Sequence, residues 1–176
     1  MSDPNAYDLK PGRSMAVLLV MQKFARLPPR PGAEKDIEHV QFIAKSLGMN
    51  VFNNETEGNK EGIKDRTKVE VEEIIENAVN YVNTNDVDGF LFIVSSHGKE
   101  RDNPAFKGRK GHVFACSDDE ELFVDKDVIN RFTDEKCPGL RGKPKLFIIQ
   151  ACRGGKTESS GYSCLKRFNN PERIVA

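Results

Sequence analysis

Long apolar runs with no polar interruption recur along this chain. They occupy residues 16–21, 89–94 and 145–150, and a shorter one covers residues 50–53. Continuous runs of this length are typical of strands that are buried on both faces of a sheet. The pattern therefore predicts four strands, three of them central.

Two stretches between these runs carry apolar residues at helical spacing instead. Residues 34–47 have such a stripe and are followed by Gly48, a common helix stop, and residues 69–82 have a second stripe. Buried strands that alternate with amphipathic helices predict an α/β fold, with a mostly parallel sheet and helices on both faces.

The remaining segments predict smaller features. Residues 100–111 are polar and contain glycine, which indicates a loop, whereas residues 111–115 and 121–124 flank an acidic turn and predict a small β-hairpin. A short helix is expected over residues 124–132.

The organisation along the chain follows from these elements. Residues 1–14 are polar and predict a disordered or loosely attached arm, and residues 15–155 are expected to form one α/β domain. Residues 156–176 are polar without a clear period and are expected to be a tail or a linker remnant.

The composition limits which classes of partner and which cellular compartment are expected. Lys+Arg and Asp+Glu both number 27, so the net charge is zero and gives no electrostatic reason to expect nucleic acid or a membrane surface as a partner. The first fourteen residues contain two prolines and do not resemble a signal peptide. The four cysteines are therefore expected to be reduced thiols in the cytoplasm rather than two disulfides.

Two of the central strands end on reactive side chains. His97 follows the strand at residues 89–94, and Cys152 follows the strand at residues 145–150. Alone, a strand-end cysteine or histidine is usually structural. Carboxyl ends of neighbouring parallel strands meet at one edge, however, and an imidazole there would activate a thiol.

The sequence around these residues resembles the caspase family. Gln150 to Gly154 read QACRG with a histidine about 50 residues upstream, which is the signature of that family. The resemblance extends over about residues 7–155 and includes the SHG element at His97, the GKPKLFIIQACRG block and the arginine of Arg30-Pro31-Gly32. It implies a three-layer caspase-like sandwich and a cysteine endopeptidase that cuts after aspartate.

The resemblance also implies roles for individual residues. Cys152 would be the nucleophile and His97 the acid/base, with the backbone N–H groups of Gly98 and Cys152 as the oxyanion hole. The carbonyl of Pro28 would orient His97.

The substrate aspartate would be held by Arg30, with Gln150 as an additional amide donor. Residues 33–35 depart from the family's more common threonine and aspartate, while Asp36 matches a common family acid.

Other chemistry has weaker support. Gly155-Lys156-Thr157 resembles the end of a phosphate-binding loop, but that pattern needs glycine where Gln150 stands. The other cysteines and the histidines show no metal-ligand spacing, so neither a metal nor another cofactor is expected, and His39 and His112 are interpreted as structural or solvated.

The family's large subunit is followed by a small subunit that carries another aspartate-binding arginine, and nothing after Gly155 resembles it. The resemblance therefore implies a caspase small subunit as partner, in a dimer of large/small heterodimers, and protein substrates with an accessible aspartate. Without that partner the sheet is expected to be incomplete and the last strand to have an unpaired edge. Two functions stay open: a protease that uses a small subunit, and a non-catalytic decoy that pairs with full-length relatives.

Overall fold

The computed structural model describes residues 10–52, 63–104 and 108–152, together with the backbone of residues 166–167 and 173–175. No helix within these ranges is both long and apolar enough to cross a membrane.

Within the described residues, the main sheet has seven strands and is almost entirely parallel. The strands are β1 (Ser14–Val20), β2 (Met49–Val51), β3 (Ile63–Lys64), β4 (Gly89–Ser95), β8 (Lys145–Gln150), β9 (Lys166–Arg167) and β10 (Arg173–Val175). Their order is β2-β1-β4-β8-β10-β9, and β3 pairs separately with β1; among these described pairs only β9–β10 is antiparallel.

Two helices cover opposite faces of this sheet. Helix α1 (Ala33–Ser46) packs on one face, over a core that includes Leu18 and Ile93. Helix α2 (Lys68–Thr84) packs on the other, over a larger core that includes Phe92 and Phe147. Because side chains alternate along a strand, β1 and β4 supply both cores, which explains their unbroken apolar sequences.

A second sheet of three antiparallel strands lies beside the first, in the order β5-β6-β7. Its strands are β5 (Gly98–Asp102), β6 (Lys110–Ala115) and β7 (Glu121–Phe123). A π-helical turn (Val124–Val128) and 3₁₀ turns (Ile129–Arg131 and Pro138–Leu140) continue the chain toward β8.

The α/β architecture expected from the sequence is confirmed, and two local expectations of secondary structure are wrong; two further differences concern the ends of the chain. Residues 98–102, most of which were expected to be a loop, form β5. The antiparallel partner β6 supplies the backbone hydrogen bonds, and the charged sequence GKERD has no apolar pattern that would predict a strand. The short helix at residues 124–132 is a π turn followed by a 3₁₀ turn.

The other two differences concern the ends of the chain. Ser14, assigned to the arm, is the first residue of β1, and the N–H of Gly12 donates to the carbonyl of Gly48; residues 1–9 of the arm lie outside the described residues. Within residues 156–176, β9 and β10 join the sheet, and β10 pairs with residues 145–147 of β8; the rest of this predicted tail lies outside the described residues. The expected unpaired edge of β8 is therefore wrong for its first half, since the free N–H and C=O groups of that strand are satisfied by β10.

This topology sets the position of the chemistry. Strand β4 lies between β1 and β8, and all three run parallel, so the segments that follow them emerge at the same edge of the sheet. Those segments contain Pro28 and Arg30, then His97, then Cys152.

Candidate active site

The register between β4 and β8 brings the histidine and the cysteine to equivalent places. Ser95 lies opposite Gln150 in the ladder, and the N–H of Ser96 donates to the carbonyl of Gln150 at 3.0 Å. His97 and Cys152 each follow that pair by two residues. The side chains of His97 and Cys152 therefore follow adjacent strands at equivalent positions of the ladder.

His97 is held in place by the loop after β1. Its Nε2 lies 2.8 Å from the carbonyl oxygen of Pro28, and its ring packs against Phe24 with 4.8 Å between ring centroids. A carbonyl can only accept a hydrogen bond, so this contact is favourable when Nε2 carries the proton. In neutral His97 the lone pair is then on Nδ1, which is the atom left to act as a base.

Gly98 lies against the end of β8. A Cβ added to it would come within 2.6 Å of the Cys152 carbonyl oxygen and within 2.8 Å of the Val113 carbonyl oxygen. Only glycine allows so close a backbone approach without displacing these groups. The backbones of Gly98 and Cys152, the two predicted donors of an oxyanion hole, are therefore neighbours.

Cys152 is exposed at the surface and is a free thiol. Its carbonyl oxygen lies 3.3 Å from Nε2 of His112, which can donate to it from β6. This contact connects the peptide group of Cys152 to the second sheet.

Arg30 is not a solvated loop charge. Its guanidinium donates from Nη1 to the Met21 carbonyl at 2.8 Å, and from Nη2 to Asp36 at 3.0 Å and to Ser95 Oγ at 2.8 Å. The hydroxyl of Ser95 in turn donates to Asp36 at 2.6 Å. The side chain is 17% exposed, so a largely desolvated cation is held at the edge of the sheet by Met21 just after β1, Asp36 on α1 and Ser95 on β4.

Gln150 and Arg30 lie on the same side of the sheet. Ser95 and Gln150 are register partners, and both follow the alternation of the residues that pack under α1, such as Ile93 and Ile148. Gln150 is exposed, and Arg30 contacts Ser95 directly. An amide and a guanidinium thus border the same space.

The other described cysteines have different surroundings. Burial raises the pKa of Cys116 to about 12, with Asp118 adding to the effect, and burial likewise raises the pKa of Cys137. Both are buried and stay protonated at neutral pH. Cys164 lies outside the described residues.

Comparison with known proteins decides the family. The chain matches the family model described as "Caspase domain" over residues 13–173, which is most of its length. The chain belongs to the caspase family.

Individual relatives agree with this assignment. The chain is 31% identical over 150 residues to human Caspase-10, covering 84% of this chain and 24% of that protein. It is 29% identical to Caspase b of Danio rerio, covering 85% of this chain and 32% of the relative, and 31% identical to Caspase-1 of Mus musculus over 81% and 31%. The chain therefore spans about a quarter to a third of these curated caspases.

A solved structure described as that of pro-sf-caspase-1 has the same fold. It superposes with a TM-score of 0.65 at 26% sequence identity, and the match covers 90% of this chain and 60% of that chain. The three-layer caspase-like sandwich expected from the sequence is confirmed.

A small pocket adjoins the histidine of this caspase domain. Its volume is about 180 Å³, and apolar groups of Leu27, Pro28, Val113 and Ala115 line it beside His97. Lys99 and Glu121, which pair with each other at 2.5 Å, also line it. No group of three or more metal-ligating side chains occurs within the described ranges.

Sequence reasoning missed three residues that the structure brings into contact with the predicted site. The ring of Phe24 packs against His97 at a tilt of 45°, Ser95 contacts Arg30, and His112 contacts the Cys152 carbonyl. Ser95 directly precedes the SHG element, which was a usable signal. Phe24 and His112 have no such signal in the sequence, because their contacts depend on how a loop and a second sheet fold over the strand ends.

Proposed function

We propose that this chain carries the nucleophile, the acid/base and part of the substrate-binding site of an aspartate-specific cysteine endopeptidase. The observation that carries the proposal is the register of β4 and β8, with His97 and Cys152 in equivalent positions and Nε2 of His97 occupied by Pro28. Membership of the caspase family supports it.

In this proposal Nδ1 of His97 takes the proton of the Cys152 thiol, and the Sγ thiolate attacks the carbonyl carbon of the scissile bond. The proton held by imidazolium His97 passes to the leaving amine as the C–N bond breaks, and an acyl-enzyme thioester remains. Neutral His97 then takes a proton from water, which hydrolyses the thioester and releases the acid and the thiol. The backbone N–H groups of Gly98 and Cys152 stabilise the oxyanion in both steps.

Specificity for aspartate would come from Arg30 and Gln150. The Arg30 guanidinium is only 17% exposed and already pairs with Asp36, which fixes its position; it would donate further charge-assisted hydrogen bonds to the substrate carboxylate. Each charge-assisted hydrogen bond contributes about 1.5–3 kcal/mol, so losing two on replacing the carboxylate by an amide corresponds to a preference of about a hundredfold or more.

A caspase small subunit is proposed as the partner that completes the groove, in a dimer of such heterodimers. The described pairing of β8 with β10 ends at Phe147, and in the described part of the chain Ile148–Gln150 have no strand on that side. Those N–H and C=O groups adjoin the candidate site and suit an additional strand. We also propose a cytoplasmic location and a role in proteolytic signalling such as cell death, consistent with the free thiols at Cys116, Cys137 and Cys152.

The experiment is to assay the 176-residue chain on matched aspartyl and asparaginyl peptides, alone and with a caspase small subunit supplied in trans. We expect turnover only with the small subunit, at least about a hundredfold faster for aspartate. Cys152→Ala and His97→Ala should abolish it, and Cys137→Ala, a buried cysteine away from the site, serves as the matched control.

Each contrary result removes a different part of the proposal. Robust cleavage by the chain alone would contradict the need for a small subunit, and equal rates on the two peptides would contradict the role of Arg30. Absence of turnover with every small subunit, together with inhibition of a full-length caspase, would favour the decoy function instead.

A further inference from the structure

Two aspartates have an unusual backbone conformation. Among the described residues, Asp65 and Asp119 are the only non-glycine residues with positive φ, at 49° and 65°. This left-handed region is unfavourable for most residues with a side chain, less so for asparagine and aspartate, and glycine occupies it without that penalty. Strain of this kind persists where the surroundings hold it in place, so both positions call for a reason.

Asp119 lies in the turn between β6 and β7 and contacts the loop after β1. Its carboxylate accepts from the N–H of Leu27 at 3.1 Å and from Nε of Arg26 at 3.2 Å, and its side chain is only 6% exposed. Burial by itself would raise the pKa of Asp119, but these hydrogen bonds outweigh it and the pKa is lowered. The group is therefore an anion at neutral pH.

Asp65 lies between β3 and α2 and contacts the same loop from the other end. One oxygen of its carboxylate accepts from the N–H of Gln22 at 2.6 Å and from the N–H of Lys23 at 2.9 Å. Glycine would suit the backbone of either turn better, but it would supply no carboxylate. The side-chain contacts thus explain why aspartate stands at both places.

Each loop residue that hydrogen-bonds to one of the aspartates directly precedes a residue that contacts His97. Asp65 binds Lys23, and Phe24 packs on the His97 ring; Asp119 binds Leu27, and Pro28 accepts from His97 Nε2. The loop is closed at its base, where the N–H of Arg30 donates to the carbonyl of Gln22 at 2.9 Å.

The two supports are also joined to each other. The N–H of Ser117, in the turn that carries Asp119, donates to the carbonyl of Arg66, next to Asp65, at 2.9 Å. The carbonyl of Ser117 accepts from the N–H of Ala25 in the middle of the loop at 2.8 Å. Both carboxylates therefore act from one connected support.

We infer that Asp65 and Asp119 form an aspartate clamp, a pair of positioning residues that hold the loop of residues 22–30 so that His97 keeps its proton on Nε2 and its lone pair on Nδ1. The catalytic meaning of this inference rests on the proposed function of His97, but the clamp itself does not. The two carboxylates contact the loop, through Gln22, Lys23, Arg26 and Leu27, and act on His97 through it.

The test compares Asp119→Gly, Asp119→Asn and the control Asp86→Asn in the 176-residue chain. Glycine suits the backbone and removes the acceptor, while asparagine keeps an oxygen for the Leu27 N–H. Asp86 is an exposed aspartate paired with Arg13 and Lys143, far from the loop in the fold, and controls for the lost charge. The readouts are the His97 tautomer by ¹⁵N NMR, amide hydrogen exchange and the melting temperature.

We expect Asp119→Gly to remain folded, to exchange the Leu27 amide at least about tenfold faster and to convert His97 from the Nε2–H tautomer to a mixture. Asp119→Asn should retain most of the Nε2–H tautomer, and Asp86→Asn all of it. Asp65→Gly tests the other end independently, with faster exchange at Gln22 and Lys23 and the same change in His97. In an assembly that turns over, both glycine variants should lower kcat by about tenfold to a hundredfold, because a small displacement of an acid/base has that effect.

An unchanged His97 tautomer and unchanged Leu27 exchange in Asp119→Gly would overturn the clamp, as would equal damage by asparagine and glycine or undiminished kcat. If the NMR changes occur as expected and no assembly cleaves peptides, the clamp stands and the proposed function fails. If peptides are cleaved and the glycine variants behave as wild type, the proposed function stands and the clamp fails.

Discussion

The described cysteines differ in their burial, and burial changes the pKa of the thiol. Cys116 and Cys137 are buried and their pKa values are raised, to about 12 for Cys116, whereas Cys152 is exposed at the end of β8. We therefore expect iodoacetamide to alkylate Cys152 first at neutral pH, which peptide mapping by mass spectrometry will measure. Faster labelling of Cys116, Cys137 or Cys164 would contradict the assignment of the nucleophile.

The hydroxyl of Ser95 is the second test at this scale. It is buried, accepts from Arg30 and donates to Asp36. Ser95→Ala removes one hydrogen bond to the guanidinium. We expect kcat/KM for an aspartyl peptide to fall by about tenfold to a hundredfold, while the asparaginyl peptide changes little.

Ser14→Ala is the matched control for Ser95→Ala, because Ser14 is also a buried serine of the main sheet but its Oγ has no hydrogen-bond partner among the described residues. It should leave both rates unchanged. If Ser95→Ala also left both rates unchanged, Ser95 would have no part in holding Arg30.

At the scale of single elements, helix α2 begins with a complete capping box. The N–H of Thr67 donates to the carboxylate of Glu70 at 2.8 Å, and Thr67 Oγ1 accepts from the N–H of Glu70 at 3.4 Å. Thr67→Ala should lower the free energy of unfolding by about 1 kcal/mol, measured by urea titration. The rate of Cys152 alkylation should not change, because α2 packs on the opposite face of the sheet from α1 and Arg30.

The same capping box predicts how the stability of the fold depends on pH. The hydrogen bond from the Thr67 backbone, then that from its side chain, lowers the pKa of Glu70 below its ordinary value. A lowered pKa in the folded state means that the stabilisation is present above the ordinary value and is lost as pH falls through the lowered one. Glu70→Gln should therefore reduce the dependence of stability on pH in that acidic range; an unchanged dependence would contradict it.

The sequence predicts elements well where burial dictates residue type. The apolar runs at β1, β4 and β8 and the stripes of α1 and α2 could be placed to within a few residues, because burial on both faces, or on one face of a helix, leaves a period in the sequence. The positions of His97 and Cys152 at strand ends follow from the same runs.

Other features depend on contacts that leave no period. Strand β5 is charged and exposed, and only its pairing with β6 makes it a strand. Asp65 and Asp119 look like ordinary turn residues in the sequence, and their left-handed backbone and their contacts with the loop of residues 22–30 require the folded molecule. The same holds for the Ser95 contact with Arg30.

At the scale of the whole molecule, three parallel strands position the candidate site. Segments after β1, β4 and β8 bring Arg30, His97 and Cys152 to one edge of the sheet. From the second sheet, Asp119 contacts Leu27 in the loop before Arg30, and His112 contacts the Cys152 carbonyl. The chain spans about a quarter to a third of the curated caspases it matches, so completion of the groove by a small subunit is the proposal that concerns the whole assembly.

The most direct measurement is covalent trapping of the site. The chain, with a caspase small subunit in trans, is incubated with a peptide ketone electrophile that ends in aspartate or in asparagine, and the adduct is located by mass spectrometry. We expect a single adduct at Cys152, formed at least about a hundredfold faster with aspartate and lost in Cys152→Ala. An adduct at another cysteine, or equal rates with the two peptides, would contradict an aspartate-specific site built on Cys152, His97 and Arg30.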